Sequence, residues 1–333
     1  MPRQTPAVSP LLALGVAVLA VSTSAILVRF SDAPSLVKAF YRVLFTVSFL
    51  APVAVARSRE SFREFGRRDA LVAAAAGVAL AVHFASWFES LNWTSVAASV
   101  TLVQAQPLFV AVGAWALLDE RITRGVVAGI GVALAGMATM TLGDLFLPGL
   151  FAGLPGPLGS LYPGGAAAAS LAGEDPLYGD ALALVGAVTA AAYVLAGRSL
   201  RQRMPLIPYV TVVYGVCALV LLTLTVARGH ALFTYPPREW ALFLGMAVGP
   251  GVVGHTVINW ALAHIESSVV SVSLLGEPVG STLLALILLG EIPTPATVVG
   301  GAVVLGGIYV TAARRPGVEP DSAADDRPRS AGE

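Results

Sequence analysis

The chain has 333 residues, of which 56% are hydrophobic and 12% charged, with a mean hydropathy of +0.79. A soluble domain carries roughly twice that share of charge to cover its surface, so lipid is the expected solvent for most of this chain. Twenty basic and twenty acidic residues cancel, which leaves no electrostatic case for a nucleic-acid partner, and the single Cys217 cannot form an intrachain disulfide.

In chain order, apolar stretches near the roughly 20 residues that a helix needs to cross a bilayer fall at about 11–28, 35–56, 70–88, 94–118, 125–142, 178–196, 207–227, 240–261, 267–289 and 296–313. They are too long and continuous for barrel strands, and backbone groups in lipid must pair internally, so the spans are expected to be helices. The expected fold is an all-α membrane protein with ten transmembrane helices. The first stretch ends in the small residues Ser22 to Ala25, as a cleaved signal peptide would. Its leader carries only Arg3 and its apolar core is long, so it reads as a retained span. Residues 143–177 form a Gly/Pro-rich linker, and 314–333 a polar tail without periodicity, expected to be disordered.

With the N-terminus inside, the alternate loops and termini on the cytoplasmic side hold fifteen arginines, among them Arg57, Arg63, Arg67, Arg124 and Arg201. The opposite side holds Arg29, Arg228 and Arg238. That asymmetry predicts a multi-pass protein of the cell membrane with both termini cytoplasmic and the linker external.

Sliding the chain against itself by 171 residues places Pro107 on Pro278, Glu120 on Glu291, Thr123 on Thr294, Gly129 on Gly300 and Gly136 on Gly307. Two halves of five spans follow, 1–142 and 178–313. Because five is odd, the second half must enter from the opposite side, giving inverted repeats with a site expected between them near mid-membrane.

The stretch Ser95 to Thr123, with Pro107 inside it and Asp119-Glu120-Arg121-Ile122-Thr123 at its end, resembles the EamA domain of the drug/metabolite transporter superfamily. So does the second copy, from Asn259-Trp260-Ala261-Leu262 through Glu277-Pro278-Val279 to Gly290-Glu291-Ile292-Pro293-Thr294. The resemblance spans nearly the whole chain and implies a ten-helix exporter or exchanger of amino acids and other small metabolites. The linker is longer than that family normally carries.

Ionisable side chains at membrane depth cost about 2.5–3.5 kcal/mol each on insertion scales, so they are the site candidates. Lys38 and Arg42 share a face of the second span. Lys38 faces a cavity or reaches back to the interface, and Arg42 is an anion-binding or gating residue or a tie to Glu89. His83 and Trp87 are four apart on the third span, with His255 and Asn259 repeating the spacing on the eighth; Trp87 fits an interfacial belt equally well. Gln106 and Glu277 precede Pro107 and Pro278, where the missing backbone donor weakens the helix and makes a hinge. Gln104 is a companion. A carboxyl in hydrocarbon is costly as an anion, so Glu277 is the candidate to bind substrate or a proton, or else to bond His255 or Arg42. Glu120 and Glu291 read as hairpin-fixing groups beside the N-caps Thr123 and Thr294. Gly125, Gly129, Gly136, Gly300, Gly301, Gly306 and Gly307 read as close-packing positions.

Paired catalytic carboxylates at depth, a zinc-type Cys/His spacing and a phosphate-binding loop are all missing from the sequence. The expectation is therefore transport of a small solute without a cofactor, ahead of a membrane enzyme or a receptor or scaffold. The expected partners are the lipid bilayer, the solute and a proton.

Overall fold

The computed structural model describes residues 9–58, 66–118, 123–146, 173–201, 206–254 and 276–313, together with 257 and 274. Every regular element among them is helical: α1 (Pro10–Phe30), α2 (Ser35–Ser58), α3 (Arg67–Ser90), α4 (Val96–Val103), α5 (Gln106–Leu118), α6 (Arg124–Phe146), α7 (Pro176–Arg201), α8 (Leu206–Ala227), α9 (Pro237–Met246), a π-helical stretch (Ala247–Gly254), α10 (Gly276–Leu289) and α11 (Pro295–Ala313).

Local chemistry sets several of these boundaries. Proline opens α1, α7, α9 and α11, where a missing N–H leaves nothing unpaired. The hydroxyls of Ser95, Thr123 and Thr294 accept from the N–H groups of Ala98 (3.2 Å), Val126 (3.3 Å) and Thr297 (3.0 Å), capping α4, α6 and α11. Pro107 cannot donate to the carbonyl of Val103, and the chain turns at Gln104 and Ala105 between α4 and α5. The fourth apolar stretch is thus a broken helix rather than a kinked one. Pro250 lies inside the π-helical stretch, another place where regular pairing fails. Pro278 lies in the first turn of α10, and apart from 274 the residues of 258–275 before it lie outside the described ones.

Six of the described helices are long and apolar enough to cross a membrane, with windows in α1, α2, α3, α4–α5, α7 and α8; shorter apolar helices cover Arg124–Met140, Gly276–Leu289 and Pro295–Val310. Their outer faces are apolar. Leu12, Val16 and Leu19 stand exposed along one side of α1, as do Leu283, Leu286 and Ile287 on α10. Such stripes suit lipid and would be a liability in water.

The packing repeats when the halves are exchanged, with α1 answering to α7, α2 to α8, α3 to α9 and its π extension, α4–α5 to α10, and α6 to α11. The pairs α2 with α8, α4 with α10 and α6 with α11 map onto themselves. The pairing of α3 with α7 maps onto that of α1 with α9 and the π stretch, and α1 with α10 onto α4–α5 with α7. Corresponding helices run in opposite directions. Hydrogen bonds place the C-terminal end of α1, the N-terminal end of α4, the N-terminal end of α7 and the C-terminal end of α10 at one end of the bundle. Residues 173–175 lie at that same end, where Asp175 donates its N–H to Trp93 O (3.2 Å); it is called the linker end below. Gly173 there has φ of 118°, and a Cβ on it would collide with Trp93 O.

The seam between α6 and α11 is backbone on backbone. A Cβ at Gly136 would lie 2.7 Å from Gly300 O, one at Gly300 2.7 Å from Gly136 O, and one at Gly307 2.6 Å from Gly129 O. Gly301 meets only ordinary contacts with Thr101, and Gly306 has nothing within 4 Å, so these two do not serve the packing expected of them. Gly136→Val should therefore destabilise the bundle by about 1–3 kcal/mol or more, read as a lowered Tm in detergent, while Gly306→Val leaves Tm near wild type. Equal Tm values for the two variants would contradict this seam.

Candidate functional site

The break between α4 and α5 places Gln104 opposite α10, where its Nε2 donates to Glu277 Oε2 at 2.6 Å. The same stretch of α10 is held to α1. Ser22 Oγ donates to the backbone carbonyl of Glu277 (3.3 Å), and Ser281 Oγ donates to Ser22 O (3.0 Å). Two residues expected at the site, one from each half, thus meet directly.

Arg42 lies across the interface on α2, 5% exposed. Its Nη1 donates to Ser24 Oγ at 2.7 Å, and its Cζ lies 4.7 Å from the ring centre of Phe84, 5.6 Å from Phe88 and 5.9 Å from Trp87. These rings offer a cation–π cage, which offsets part of the cost of burying the charge without taking its N–H groups. On α8, Cys217 and Tyr214 pack in the same core cluster as these rings. Arg42 forms no ion pair among the described residues. The expected tie to Glu89 is absent, because Glu89 instead accepts from Trp93 Nε1 (3.0 Å) and Asn92 Nδ2 (3.3 Å) at the α3–α4 turn.

His83 and Trp87 share a face of α3 and stack at 5.8 Å. His83 Nδ1 lies 2.9 Å from Gly186 O on α7, so its ring is also an interhelix tie. Trp87 is 4% exposed inside the core, not in an interfacial belt, and its buried Nε1 has no partner among the described residues. Lys38 reaches toward the last turn of α1, at the linker end. It is buried, and its Nζ donates to Val28 O at 3.0 Å. Gln106 opens α5, and its side chain makes no hydrogen bond among the described residues. His255, Asn259 and Glu120 lie outside the described residues.

Glu291 does more than fix a hairpin. Its Oε1 pairs with Arg29 Nη2 at 2.5 Å, and its Oε2 accepts from Val96 N at 3.0 Å, at the positive N-terminal end of α4. It straps the α10–α11 turn of one half to α1 and α4 of the other. Parallel straps surround it at the linker end. Buried Glu239 accepts from the Ser31 hydroxyl and from Asp32 N (3.0 Å), Arg238 bonds Asp32 Oδ2 (3.0 Å) and Phe30 O (2.6 Å), and Thr94 Oγ1 donates to Asp180 Oδ1 (2.9 Å). Each of these joins the first half to the second.

Sequence reasoning missed Ser24, Phe84, Phe88, Tyr214, Glu239 and the Thr94–Asp180 bond. The i, i+4 spacing of Phe84 and Phe88 on the turn next to His83 and Trp87 was a usable signal, as was the i, i+3 spacing of Tyr214 and Cys217. Nothing in spacing alone connects Glu239 to Ser31.

A family model of the EamA-like transporter family matches residues 8–142 and again 177–313. A protein of Streptantibioticus cattleyicolor named "Probable terminal-alkyne amino-acid exporter" is 24% identical over 243 residues, covering 71% of this chain and 72% of that protein. An "Uncharacterized transporter" of Archaeoglobus fulgidus is 22% identical over 245 residues, covering 73% and 75%. A solved crystal structure has the same fold, with a TM-score of 0.56 at 20% identity over 91% of this chain and 96% of that one. These likenesses and the apolar helices make this a multi-pass membrane protein whose partners are lipid and a small solute, and whose family members are transporters rather than enzymes. The chain belongs to the EamA-like transporter family.

Proposed function

We propose that this transporter is a secondary exporter or exchanger of amino acids or other small metabolites, working by alternating access between two inverted five-helix repeats in the cell membrane. The observation that carries the reading is the buried guanidinium of Arg42, without an ion-pair partner among the described residues and bonded to Ser24 of α1, two residues from the Ser22 that bonds Glu277 in the other half. A buried charge left open in this way marks a solute pathway. The exchange symmetry of the packing and the opposed directions of corresponding helices support the inverted repeats. The arginine asymmetry supports cytoplasmic termini and an external linker, which makes the strapped linker end the outer gate. The name of the Streptantibioticus relative supports amino acids as cargo and export as the direction.

In this account Glu277 takes up and releases a proton during the cycle, and Lys38, Arg42, His83, Trp87 and Gln104 line the cavity with it. The break before Pro107 gives α4 and α5 freedom to move, and Pro278 offers α10 the same. Reconstituted protein, tested against a panel of amino acids and metabolites with and without a pH gradient, should show saturable flux of at least one solute above empty liposomes. Folded protein that moves none of them would sink the transport reading.

A further inference from the structure

A buried indole N–H without a partner among the described residues lies beside a buried guanidinium with one acceptor. Arg42 carries five N–H donors, yet among the described residues only Ser24 accepts from it, and the Phe84, Trp87 and Phe88 rings hold the guanidinium without accepting from its fork. Beside it, Trp87 is 4% exposed with an indole N–H that no group accepts among the described residues. Buried donors are seldom left orphaned, because each costs about 1–3 kcal/mol, so the unpartnered indole beside a guanidinium with a single acceptor points to an acceptor that comes and goes. Tyr214, on α8, packs against the core cluster that holds Phe84, Trp87 and Phe88, and its hydroxyl makes no hydrogen bond among the described residues. It adds a third donor, from the opposite half.

We propose that Arg42, the indole N–H of Trp87 and the phenol of Tyr214 form a subsite for the carboxylate of the transported solute. A planar, monoanionic oxyanion with two acceptor oxygens matches the guanidinium fork, and the two neutral donors complete its hydrogen bonding. A phosphate dianion fits less well. The subsite has one cation, which balances one negative charge and not two. Because Arg42 and Trp87 belong to the first half and Tyr214 to the second, a bound carboxylate also bridges the two bodies that move.

This subsite rests on the transport reading, and its test separates the two. Purified protein is titrated with each of the twenty proteinogenic L-amino acids, and those that raise Tm are compared with their carboxamides. The acid should bind on the order of a hundredfold tighter than its amide, because the amide leaves the buried donors unmatched. Trp87→Phe and Tyr214→Phe, which keep the rings and delete one donor each, should each weaken the acid by about tenfold and leave the amide unchanged. Equal binding of acid and amide, or wild-type affinity for the acid in both variants, overturns the subsite. Flux confined to solutes without a carboxylate also overturns it while leaving transport standing, whereas a folded protein that moves no solute removes both.

Discussion

Glu277→Gln should leave the protein folded and able to bind solute, and should reduce pH-gradient-driven flux to the level of empty liposomes. The structural side of this expectation rests on Gln104, whose Nε2 donates to Glu277 Oε2 at 2.6 Å. A glutamine at 277 keeps a carbonyl oxygen of the same reach, so the bond between α4–α5 and α10 survives and Tm should stay near wild type. What disappears is the group that can carry a proton, and an ionisable side chain is retained at membrane depth against a cost of a few kcal/mol only where its charge is used. Glu277→Ala provides the contrast. It strips the acceptor from Gln104 and should lower stability by about 1–3 kcal/mol in addition to removing the proton site. If Glu277→Gln instead lowers Tm and keeps wild-type flux per folded molecule, Glu277 is a fastener and not a proton carrier.

How much of this was legible in the sequence depended on whether the signal was local. Apolar length predicted the helices, and the Pro, Glu, Thr and Gly matches at one offset predicted two halves, because both are properties of a chain read along itself. Thr123 and Thr294 could be read as caps for the same reason, since a cap bonds three residues ahead. Partners from different helices were harder. Depth alone marked Arg42, Gln104 and Glu277 as candidates, but of the two readings of Arg42 the tie to Glu89 is not made, and that carboxylate bonds Asn92 and Trp93 of the adjoining turn instead. Trp87 was compatible with the interface from its distance to a loop, and only the packing of α3 against α7 shows it in the core. The break at Gln104 and Ala105 was expected as a kink. Loss of one donor at Pro107 sets where pairing fails, while neighbouring helices determine how far the backbone departs.

Locking the linker end should stop transport altogether, since under the proposed alternating access each cycle must part the straps that join the two halves there. Arg29 and Glu291 pair at 2.5 Å, and Glu291 also takes the N–H of Val96, so three segments from both halves meet at one carboxylate. Removing the carboxylate alone, in Glu291→Gln, weakens a partly exposed ion pair and should shift the equilibrium toward the state open at the linker end without abolishing exchange. A covalent bridge is the sharper test. In a Cys217→Ser background, which leaves no other thiol, Arg29→Cys and Glu291→Cys are joined by a short bis-methanethiosulfonate reagent in proteoliposomes. Solute flux is then measured before bridging, after it, and after reduction. The account predicts flux before bridging, background flux while the bridge stands, and recovery on reduction; bridged protein that transports at the unbridged rate would contradict alternating access through this end of the bundle.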